Sequence, residues 1–300
     1  MRNIRFALAV LLVAAVVITT AVSAVVSPVN ASSSAVTAAR SNTVPNDQYY
    51  ARQWALPVIA SSIGVRSSGE VLVAVLDSGI DIAHEDLSGV VRESVNFSGS
   101  RSEFDVQGHG THVAGILAAR TNNSIGIAGV SSGIRLLNVK VVEDNGMVWP
   151  SNVAKGIIWA VDNGARVINM SFTMSTDSPV VAESVKYAAD HGVIMFAAAG
   201  NHIDSKTYPA AYPQVIAVAA LNSDGTIWNG SKVTDWIDVY VPGTEIYSTV
   251  PGNKYDYKSG SSMATAYASG MAVMLMNNHE RTNSSEVRTA LKSVSYTLLK

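Results

Sequence analysis

Residues 71–77 read Val-Leu-Val-Ala-Val-Leu-Asp, six consecutive apolar residues followed by a carboxylate. A short run of this kind, rich in Val and Leu, predicts a strand that is buried on both faces, as in parallel sheets. Further apolar runs that predict strands are Ile134–Val142, Arg166–Met170, Val193–Ala198 and Val215–Ala219. Helical segments are predicted between several of them, at His109–Arg120, Ser151–Asn163 and Val180–His191.

The alternation of predicted strands and helices determines the expected architecture. It predicts an α/β fold with a mostly parallel central sheet and helices on both faces, in three layers. Ligands of such sheets bind at the carboxyl ends of the strands. Asp77 and Asn201 both follow predicted strands, so both are candidate site residues. No internal repeat or change of composition divides residues 45–300, which predicts one domain there.

The overall composition restricts the classes of function. The chain has 300 residues, of which 48% are hydrophobic and only 15% are charged, which is typical of a globular protein with a large core. A net charge of -2 gives no reason to expect nucleic acid as a partner. The chain contains no cysteine, which excludes disulfides and a thiol nucleophile.

The N-terminus is typical of a secretory signal peptide. Two arginines precede an apolar run from Phe6 to about Ile18, and Val22–Ala24 offers small residues for cleavage. Residues 1–24 are therefore predicted to be removed, and a secreted monomer without stable membrane association is expected. The alternative is an uncleaved anchor, since the run extended to Val26 approaches the length of a membrane span. Residues 25–44 predict a linker or a short pro-segment.

Three short motifs supply the groups of a nucleophilic hydrolase. They are Val75–Ile80 (Val-Leu-Asp-Ser-Gly-Ile), Gly108–Gly115 (Gly-His-Gly-Thr-His-Val-Ala-Gly) and Gly260–Ala264 (Gly-Ser-Ser-Met-Ala). A serine hydroxyl is a weak nucleophile until a histidine takes its proton, and a carboxylate orients that histidine. Taken singly, each residue has a simpler explanation, as a turn, a structural histidine or a helix cap.

The three motifs together, in the order Asp77, His109, Ser262, resemble those of the subtilisin-like serine proteases (subtilases), in particular thermitase-type members. The resemblance runs from about Val44 to about Leu291. It implies a subtilisin-like fold and hydrolysis of peptide bonds in protein or peptide substrates. In this family the first histidine of the motif is the base, which assigns His109 and leaves His112 to packing.

The segment Ala197–Asn201, Ala-Ala-Ala-Gly-Asn, resembles the family's oxyanion-hole motif. The resemblance implies that the Asn201 amide stabilises the negative charge that develops on the carbonyl oxygen during acyl transfer. The backbone N–H of Ser262 is the expected second donor. A Gly-Asn pair standing alone would instead predict a turn.

The family binds its substrate as an extended strand between two enzyme segments. The matching residues here are Gly146, Met147, Val148, Ser171, Phe172 and Thr173. Val148 and Thr173 stand where the family generally has glycine, and Phe172 stands where it has leucine. Added side chains narrow the cleft and predict a more restricted specificity, unless these residues only pack.

The stretch 122–127 resembles the calcium-binding loop of subtilases, which implies a structural Ca²⁺ ion. Calcium prefers six to eight hard oxygen ligands. The resemblance offers the carboxylates of Asp47 and Asp86, the side-chain oxygen of Asn123, and the carbonyls of Thr121, Ile125 and Ile127. The alternative is a glycine-containing surface loop capped by asparagine.

The resemblance leaves two features unexplained and three functions open. Residues 25–44 are shorter than the family's folded propeptide, and the chain stops at Lys300, short of a further strand and helix. Missing elements would leave apolar surface uncovered, at ~25 cal/mol per Å². The predicted function is a secreted serine endopeptidase. The alternatives are a processing protease with one cognate partner and a binding protein without turnover.

Overall fold

The structure, a computed structural model, describes residues 44–63, 69–202, 205–231, 233–278 and 282–299. The predicted signal peptide and all but the last residue of the predicted linker lie outside the described residues. The strands are β1 (Val71–Asp77), β2 (Val91–Asn96), β3 (Ile134–Lys140), β4 (Val167–Met170), β5 (Ile194–Ala198), β6 (Val215–Leu221), β7 (Val239–Pro242), β8 (Ile246–Val250) and β9 (Lys254–Lys258). The α-helices are α1 (Ala55–Ile63), α2 (His109–Ala118), α3 (Pro150–Asp162), α4 (Pro179–Asp190), α5 (Ser261–Asn278) and α6 (Ser284–Leu298), and a short 3-10 helix spans Tyr50–Arg52.

Seven strands form one sheet in the order β2-β3-β1-β4-β5-β6-β7, and every neighbouring pair is parallel. In the register of β1, Val73 lies opposite Leu136 of β3 on one side and Val167 of β4 on the other. The chain builds β2 and β3 on one side of β1 and β4 to β7 on the other. This reversal makes the carboxyl end of β1 a topological switch point, the usual position of a ligand site in an open α/β sheet.

The two faces of the sheet pack against different helices, because side chains alternate along each strand. In β1, Val73 and Val75 join an apolar cluster that includes residues of α2 and α5. Ala74 and Leu76 join a second cluster that includes residues of α3 and α4. All four side chains are fully buried. The predicted three-layer α/β fold is confirmed, and the sheet is parallel throughout.

Local sequence determines where several helices begin. Pro150 and Pro179 lie in the first turns of α3 and α4, where a missing N–H removes no helical hydrogen bond. At the start of α6, Asn283 accepts from the Glu286 N–H (3.0 Å) and donates its own N–H to the Glu286 carboxylate (3.1 Å). These reciprocal bonds form a capping box, which satisfies two backbone donors at once.

Helix α5 packs against four strands of the sheet and against α2. Ala264, Ala266 and Ala268 are fully buried in it. At Gly270 of α5, an added Cβ would come within 2.8 Å of Val130 Cβ. The small residues therefore allow the helix to approach its neighbours closely, as the composition after Ser262 indicates. No helix in the described ranges has both the length and the apolar character needed to cross a membrane.

The observed elements differ from the predicted ones mainly at their ends and at the margins of the sheet. The strand predicted to reach Val142 ends at Lys140, because the N–H groups of Val141 and Val142 turn to the Asp77 carbonyl (3.0 and 3.1 Å). The helix predicted to reach Arg120 ends at Ala118. Strands β2, β7, β8 and β9 were not predicted. β2 and β9 carry mainly polar residues, so neither produces an apolar run.

Helix α6 covers the edge of the sheet that is formed by β7. In α6, Val287 and Leu291 are fully buried in the same cluster as α5. The outer strand β7 donates the Tyr240 N–H to Ser295 Oγ (2.9 Å). Asp238, next to β7, pairs with Arg288 (2.8 Å). Apolar packing, a hydrogen bond and an ion pair therefore attach α6 to this edge.

Candidate active site

Three candidate residues lie at one edge of the sheet because their strands are neighbours. Asp77 is the last residue of β1, Ser171 directly follows β4, and Asn201 lies three residues after β5. The order β1-β4-β5 places these strand ends side by side. Asp77 and Ser171 are buried, whereas Asn201 is exposed. A polar site therefore forms at the carboxyl edge of the sheet, as the sequence predicts.

His109 is the first residue of α2 and contacts the carboxylate at the end of β1. Its Nδ1 lies 2.7 Å from Asp77 Oδ1, and its side chain remains 30% exposed. The approach depends on Gly110, where a methyl group would overlap the Gly79 carbonyl oxygen and lie 3.1 Å from Asp77 Oδ1. Asp77 Oδ1 also accepts the Ser78 N–H (2.7 Å). The carboxylate thus holds the imidazole by Nδ1 and leaves Nε2 on the opposite side of the ring.

Opposing effects set the pKa of His109. Burial acts to lower it, whereas the negative charge and hydrogen bond of Asp77, with a further contribution from Asp105, raise it above the ordinary 6.5. His112, the second histidine of the motif, differs. It is fully buried, its Nε2 lies 3.0 Å from the Ile246 carbonyl, and burial lowers its pKa to about 3. His112 is therefore a packed neutral residue, as expected.

Ser262 lies in the first turn of α5 and contacts the end of β4. Its hydroxyl donates to the Ser171 carbonyl (2.9 Å), and the Ser171 hydroxyl donates to the Ser262 carbonyl (3.0 Å). This reciprocal pair holds the serine at the strand edge. Within the described residues, no hydrogen bond joins the Ser262 hydroxyl to the His109 ring. The structure therefore shows two bonded pairs, Asp77–His109 and Ser171–Ser262, rather than a closed chain of three.

Asn201 is oriented by the residue that precedes Ser262. Its Oδ1 accepts the Ser261 N–H and the Ser261 hydroxyl, both at 2.9 Å. Because an amide has its acceptor and donors on opposite sides, these bonds turn the Nδ2 group the other way. The Ser262 N–H belongs to the first turn of α5 and has no acceptor among the described residues. Two backbone or amide donors are thus available beside Ser262.

The first predicted substrate segment forms a turn between β3 and α3. The Glu143 N–H donates to the Met147 carbonyl (2.9 Å), and Val148 pairs with Val142 in an antiparallel bridge. Gly146 has φ +88°, with open space around its α-carbon. The Met147 side chain is 47% exposed. Gly146 and Met147 therefore face solvent, whereas Val148 is half-buried.

The second predicted segment follows β4. The Ser171–Ser262 bonds place its first residue beside the candidate nucleophile. Phe172 and Thr173 are half-buried. Phe172 packs, as Val148 does, against the apolar cluster on the α3 and α4 face. Both of these apolar side chains thus pack against this cluster while remaining partly exposed.

The predicted calcium residues come together in one loop region with two buried carboxylates. Asp47 and Asp86 are 5% and 0% exposed, and neither forms an ion pair with Lys or Arg within the described residues. Asp86 Oδ1 accepts from Asn123 Nδ2 (2.8 Å) and Oδ2 from the Ile127 N–H (2.7 Å). Burial raises the pKa of Asp86 above 3.8, although these two bonds and one from Tyr255 act to lower it.

The donor chemistry of this loop fits a hard cation. In the part of the chain that the structure describes, the carbonyls of Thr121, Ile125 and Ile127 accept no hydrogen bond. The side-chain oxygen of Asn123 accepts from the Ile125 N–H (3.0 Å). Two uncompensated carboxylates and three carbonyls provide the hard oxygen ligands that Ca²⁺ prefers. Within the described residues, no group of three or more His, Cys, Asp or Glu side chains is placed to hold a metal ion, so a site in this loop depends on carbonyl oxygens as well.

Sequence reasoning missed two residues that support the site and a buried lysine that lies opposite Asp77 on the neighbouring strand. Asp105 is fully buried and accepts the Gly108 N–H (2.8 Å) before α2. Ser261 orients Asn201 through two hydrogen bonds. Lys140 is fully buried, and its Nζ donates to Asp144 (2.6 Å) and to the Phe104 carbonyl (2.6 Å). An Asp three residues before Gly108, the cap position of α2, was a signal for the first, since acidic residues cap helices.

Comparisons with known proteins give a consistent result. A model described as "Subtilase family" matches residues 68–297. A thermophilic serine proteinase of Bacillus sp. (strain AK1) is 39% identical over 258 residues, covering 84% of this chain and 64% of that protein. Subtilisin NAT of Bacillus subtilis subsp. natto is 40% identical over 236 residues, covering 76% of this chain and 61% of that protein. The matched part thus spans less than two thirds of both relatives.

A solved structure agrees with these sequence matches. It belongs to proteases from Pseudoalteromonas arctica PAMC 21717 and has a TM-score of 0.75 with 26% sequence identity. The similarity covers 84% of this chain and 92% of that chain. The likeness therefore extends over almost the whole of that protein.

Proposed function

Since the chain belongs to the subtilase family, we propose that it is a serine endopeptidase that hydrolyses peptide bonds. Ser262 is the nucleophile, His109 the general base and Asp77 the carboxylate that orients the base. The observation that carries the proposal is the 2.7 Å contact between His109 Nδ1 and Asp77 Oδ1. It fixes the ring so that Nε2 is the nitrogen left to accept a proton.

The reaction begins when the Ser262 hydroxyl turns from the Ser171 carbonyl to His109 Nε2. Ser262 Oγ attacks the carbonyl carbon of the scissile bond and gives its proton to Nε2. The Asp77 carboxylate stabilises the imidazolium that forms. Collapse of the tetrahedral intermediate breaks the C–N bond, and His109 returns the proton to the leaving amine. Water then hydrolyses the acyl-enzyme by the same steps, with His109 again as base.

The negative charge of the tetrahedral intermediate requires fixed donors. We propose that Asn201 Nδ2 and the Ser262 N–H provide them. The two Ser261 bonds to Asn201 Oδ1 (both 2.9 Å) set the amide orientation before substrate arrives. Because the donors need not reorganise during reaction, they stabilise the transition state more than the ground state.

The test separates an enzyme from a binding protein on the same scaffold. A fluorophosphonate probe reacts only with an activated serine, so it should label the purified protein and fail to label Ser262→Ala. The same substitution should lower turnover by ~10⁶-fold, a magnitude measured on subtilisin itself. Casein hydrolysis by Ser262→Ala at the wild-type rate would refute the assignment. An unlabelled, inactive wild type would favour the binding protein.

We propose that substrates bind as extended peptides between residues 146–148 and 171–173, with pockets narrowed by Val148, Phe172 and Thr173. All three side chains remain partly exposed, which supports a specificity more restricted than that of subtilisin. It also keeps a processing protease with one cognate partner as the second candidate. A peptide-library profile as broad as that of subtilisin would contradict this proposal.

We also propose that the loop around residues 121–127 holds one structural Ca²⁺. Asp47 and Asp86 would supply carboxylates, Asn123 its side-chain oxygen, and Thr121, Ile125 and Ile127 their carbonyls. When bound, the ion would neutralise two buried negative charges and join the segment around Asp47 to this loop. It takes no part in the hydrolysis.

The N-terminal pattern supports a proposal about location. We infer that residues 1–24 direct secretion and are removed, and that the mature protein is an extracellular monomer. N-terminal sequencing of secreted material would show the cleavage position. Retention of residues 1–24 in a membrane fraction would instead support the uncleaved anchor.

A further inference from the structure

A second buried carboxylate, that of Asp105, lies one hydroxyl group away from the proposed triad. Its side chain is fully buried, and within the described residues no Lys or Arg pairs with it. Its oxygens accept four hydrogen bonds: Oδ1 from Ser78 Oγ (2.9 Å), Gln107 N–H (3.0 Å) and Gly108 N–H (2.8 Å), and Oδ2 from Thr111 N–H (2.8 Å). A buried charge is tolerated only where such donors surround it.

Asp105 acts as the cap of the helix that carries His109. The residue at the cap position is Gly108, which has φ 74° and no side chain to accept a hydrogen bond. The carboxylate of Asp105 takes this role by accepting the N–H groups of Gly108 and Thr111. Negative charge at a helix N-terminus is also favoured by the helix dipole. The position of His109, the first residue of α2, therefore depends on Asp105.

Ser78 connects the two carboxylates. Its hydroxyl oxygen lies 2.9 Å from Asp105 Oδ1 and 3.2 Å from Asp77 Oδ1, and it accepts the Gly110 N–H (3.0 Å). A serine hydroxyl has one proton, so it can donate to only one carboxylate. The shorter contact assigns that proton to Asp105. Asp77 Oδ1 then receives only the His109 ring and the Ser78 N–H.

We propose that Asp105 is a positioning residue for the hydrolysis: it starts α2 at His109 and binds the Ser78 hydroxyl proton, so that Asp77 stays a strong acceptor. The proposal rests on the proposed function for its kinetic consequence. Its electrostatic consequence concerns the His109 ring alone and can be measured without turnover.

The charges that face His109 determine the direction in which Asp105→Asn shifts its pKa. Burial lowers the pKa of His109, the charges of Asp77 and Asp105 raise it, and Lys258 on β9 lowers it. His112, the remaining titratable neighbour, is neutral because burial lowers its pKa to about 3. Asp105→Asn removes one negative charge. The amide oxygen that replaces Oδ1 is a weaker acceptor than a carboxylate, which turns the Ser78 proton toward Asp77. Both changes lower the pKa of His109.

The first experiment is an NMR titration of the His109 ring in the Ser262→Ala protein, with and without Asp105→Asn. We expect Asp105→Asn to move the midpoint to lower pH by about half a unit or more. In the active protein, the acid limb of kcat/KM should move in the same direction while kcat/KM on the plateau falls by ~10-fold. A midpoint that does not move, with or without a loss of stability, would overturn the proposal.

Ser78→Ala is the matched control, and it also decides the question if Asp105→Asn does not fold. If the Ser78 hydroxyl donates to Asp105, removing that hydroxyl leaves the donors to Asp77 unchanged. The midpoint of the His109 titration then stays within ~0.2 pH unit. A midpoint moved to higher pH would place that proton on Asp77 and overturn the proposal. When Asp105→Asn is introduced into the Ser78→Ala protein, it should lower the His109 midpoint less than it does in the protein that retains Ser78. Equal shifts in the two backgrounds would show that Ser78 does not transmit the effect of Asp105 to Asp77. If the wild type hydrolyses nothing, the proposed function fails, yet these titrations remain interpretable.

Discussion

Replacing Gly110 by alanine should damage the active site although it improves the helix. Alanine is favoured over glycine inside a helix by ~1 kcal/mol, so propensity alone predicts a more stable protein. Gly110 is the second residue of α2 and is buried. Its added methyl group would overlap the Gly79 carbonyl oxygen and lie 3.1 Å from both Cβ and Oδ1 of Asp77.

The cost follows from what the methyl group meets. A backbone carbonyl cannot rotate away as a side chain can, so the start of α2 and the Gly79 segment must separate by ~1 Å. Overpacking of this kind costs ~1–3 kcal/mol, more than the gain from helix propensity. The same separation stretches the 2.7 Å contact between His109 and Asp77. A misplacement of ~1 Å in a catalytic group costs ~10²-fold in rate.

The assay is kcat/KM on a chromogenic peptide together with the melting temperature of the same preparations. Gly156→Ala in α3 is the matched control, because it places the same methyl group on the opposite face of the sheet. There the nearest atoms are Val141 Cγ1 (2.7 Å) and Val139 Cγ1 (3.1 Å), which belong to side chains that can rotate. We expect both variants to lose stability and only Gly110→Ala to lose activity. A folded Gly110→Ala protein with wild-type kcat/KM would refute this reasoning.

Three further predictions concern the oxyanion donor, the base and the metal. Asn201→Ala should lower kcat by ~10²–10³-fold, the loss found for the equivalent donor in subtilisin, with little change in KM; a loss of less than tenfold would argue against this role. Because His109 must be unprotonated to accept a proton and its pKa is raised, the acid limb of kcat/KM should have its midpoint above pH 6.5. A midpoint at or below that value would contradict the electrostatics of the site. EGTA should lower the melting temperature of the wild type and leave that of Asp86→Ala unchanged, since calcium at 100 times its Kd stabilises by ~2.7 kcal/mol. Identical wild-type melting with and without EGTA would remove the calcium proposal.

The central strands and the motif residues were predictable because local pattern and position in the fold agree there. Strand β1 is apolar up to its last residue because both of its faces are covered by helices. The carboxyl end of such a strand lies at the edge where ligands bind, and Asp77 occupies that end. The predicted elements differ from the observed ones only at their ends. Those ends depend on where single hydrogen bonds are made, as at Val141.

The hydrogen bonds from Ser78 to Asp105 and from Lys140 to Phe104 were not predictable because the partners are distant in the sequence. Ser78 and Asp105 are 27 positions apart, and their contact exists only after α2 packs on β1. Lys140 lies in a predicted apolar strand, and the Phe104 carbonyl to which its Nζ donates is 36 positions away. Nothing in the local pattern of either segment indicates these bonds. They arise from tertiary structure alone.

Helix α5 determines how the protein should respond to heat. It bears Ser262 in its first turn and is enclosed by the sheet and by α2, so the hydrogen-bonded amides of its central turns should exchange with solvent only when the domain opens as a whole. Thermal inactivation and global denaturation should therefore coincide in one transition. A folded species that has lost its serine geometry should not accumulate.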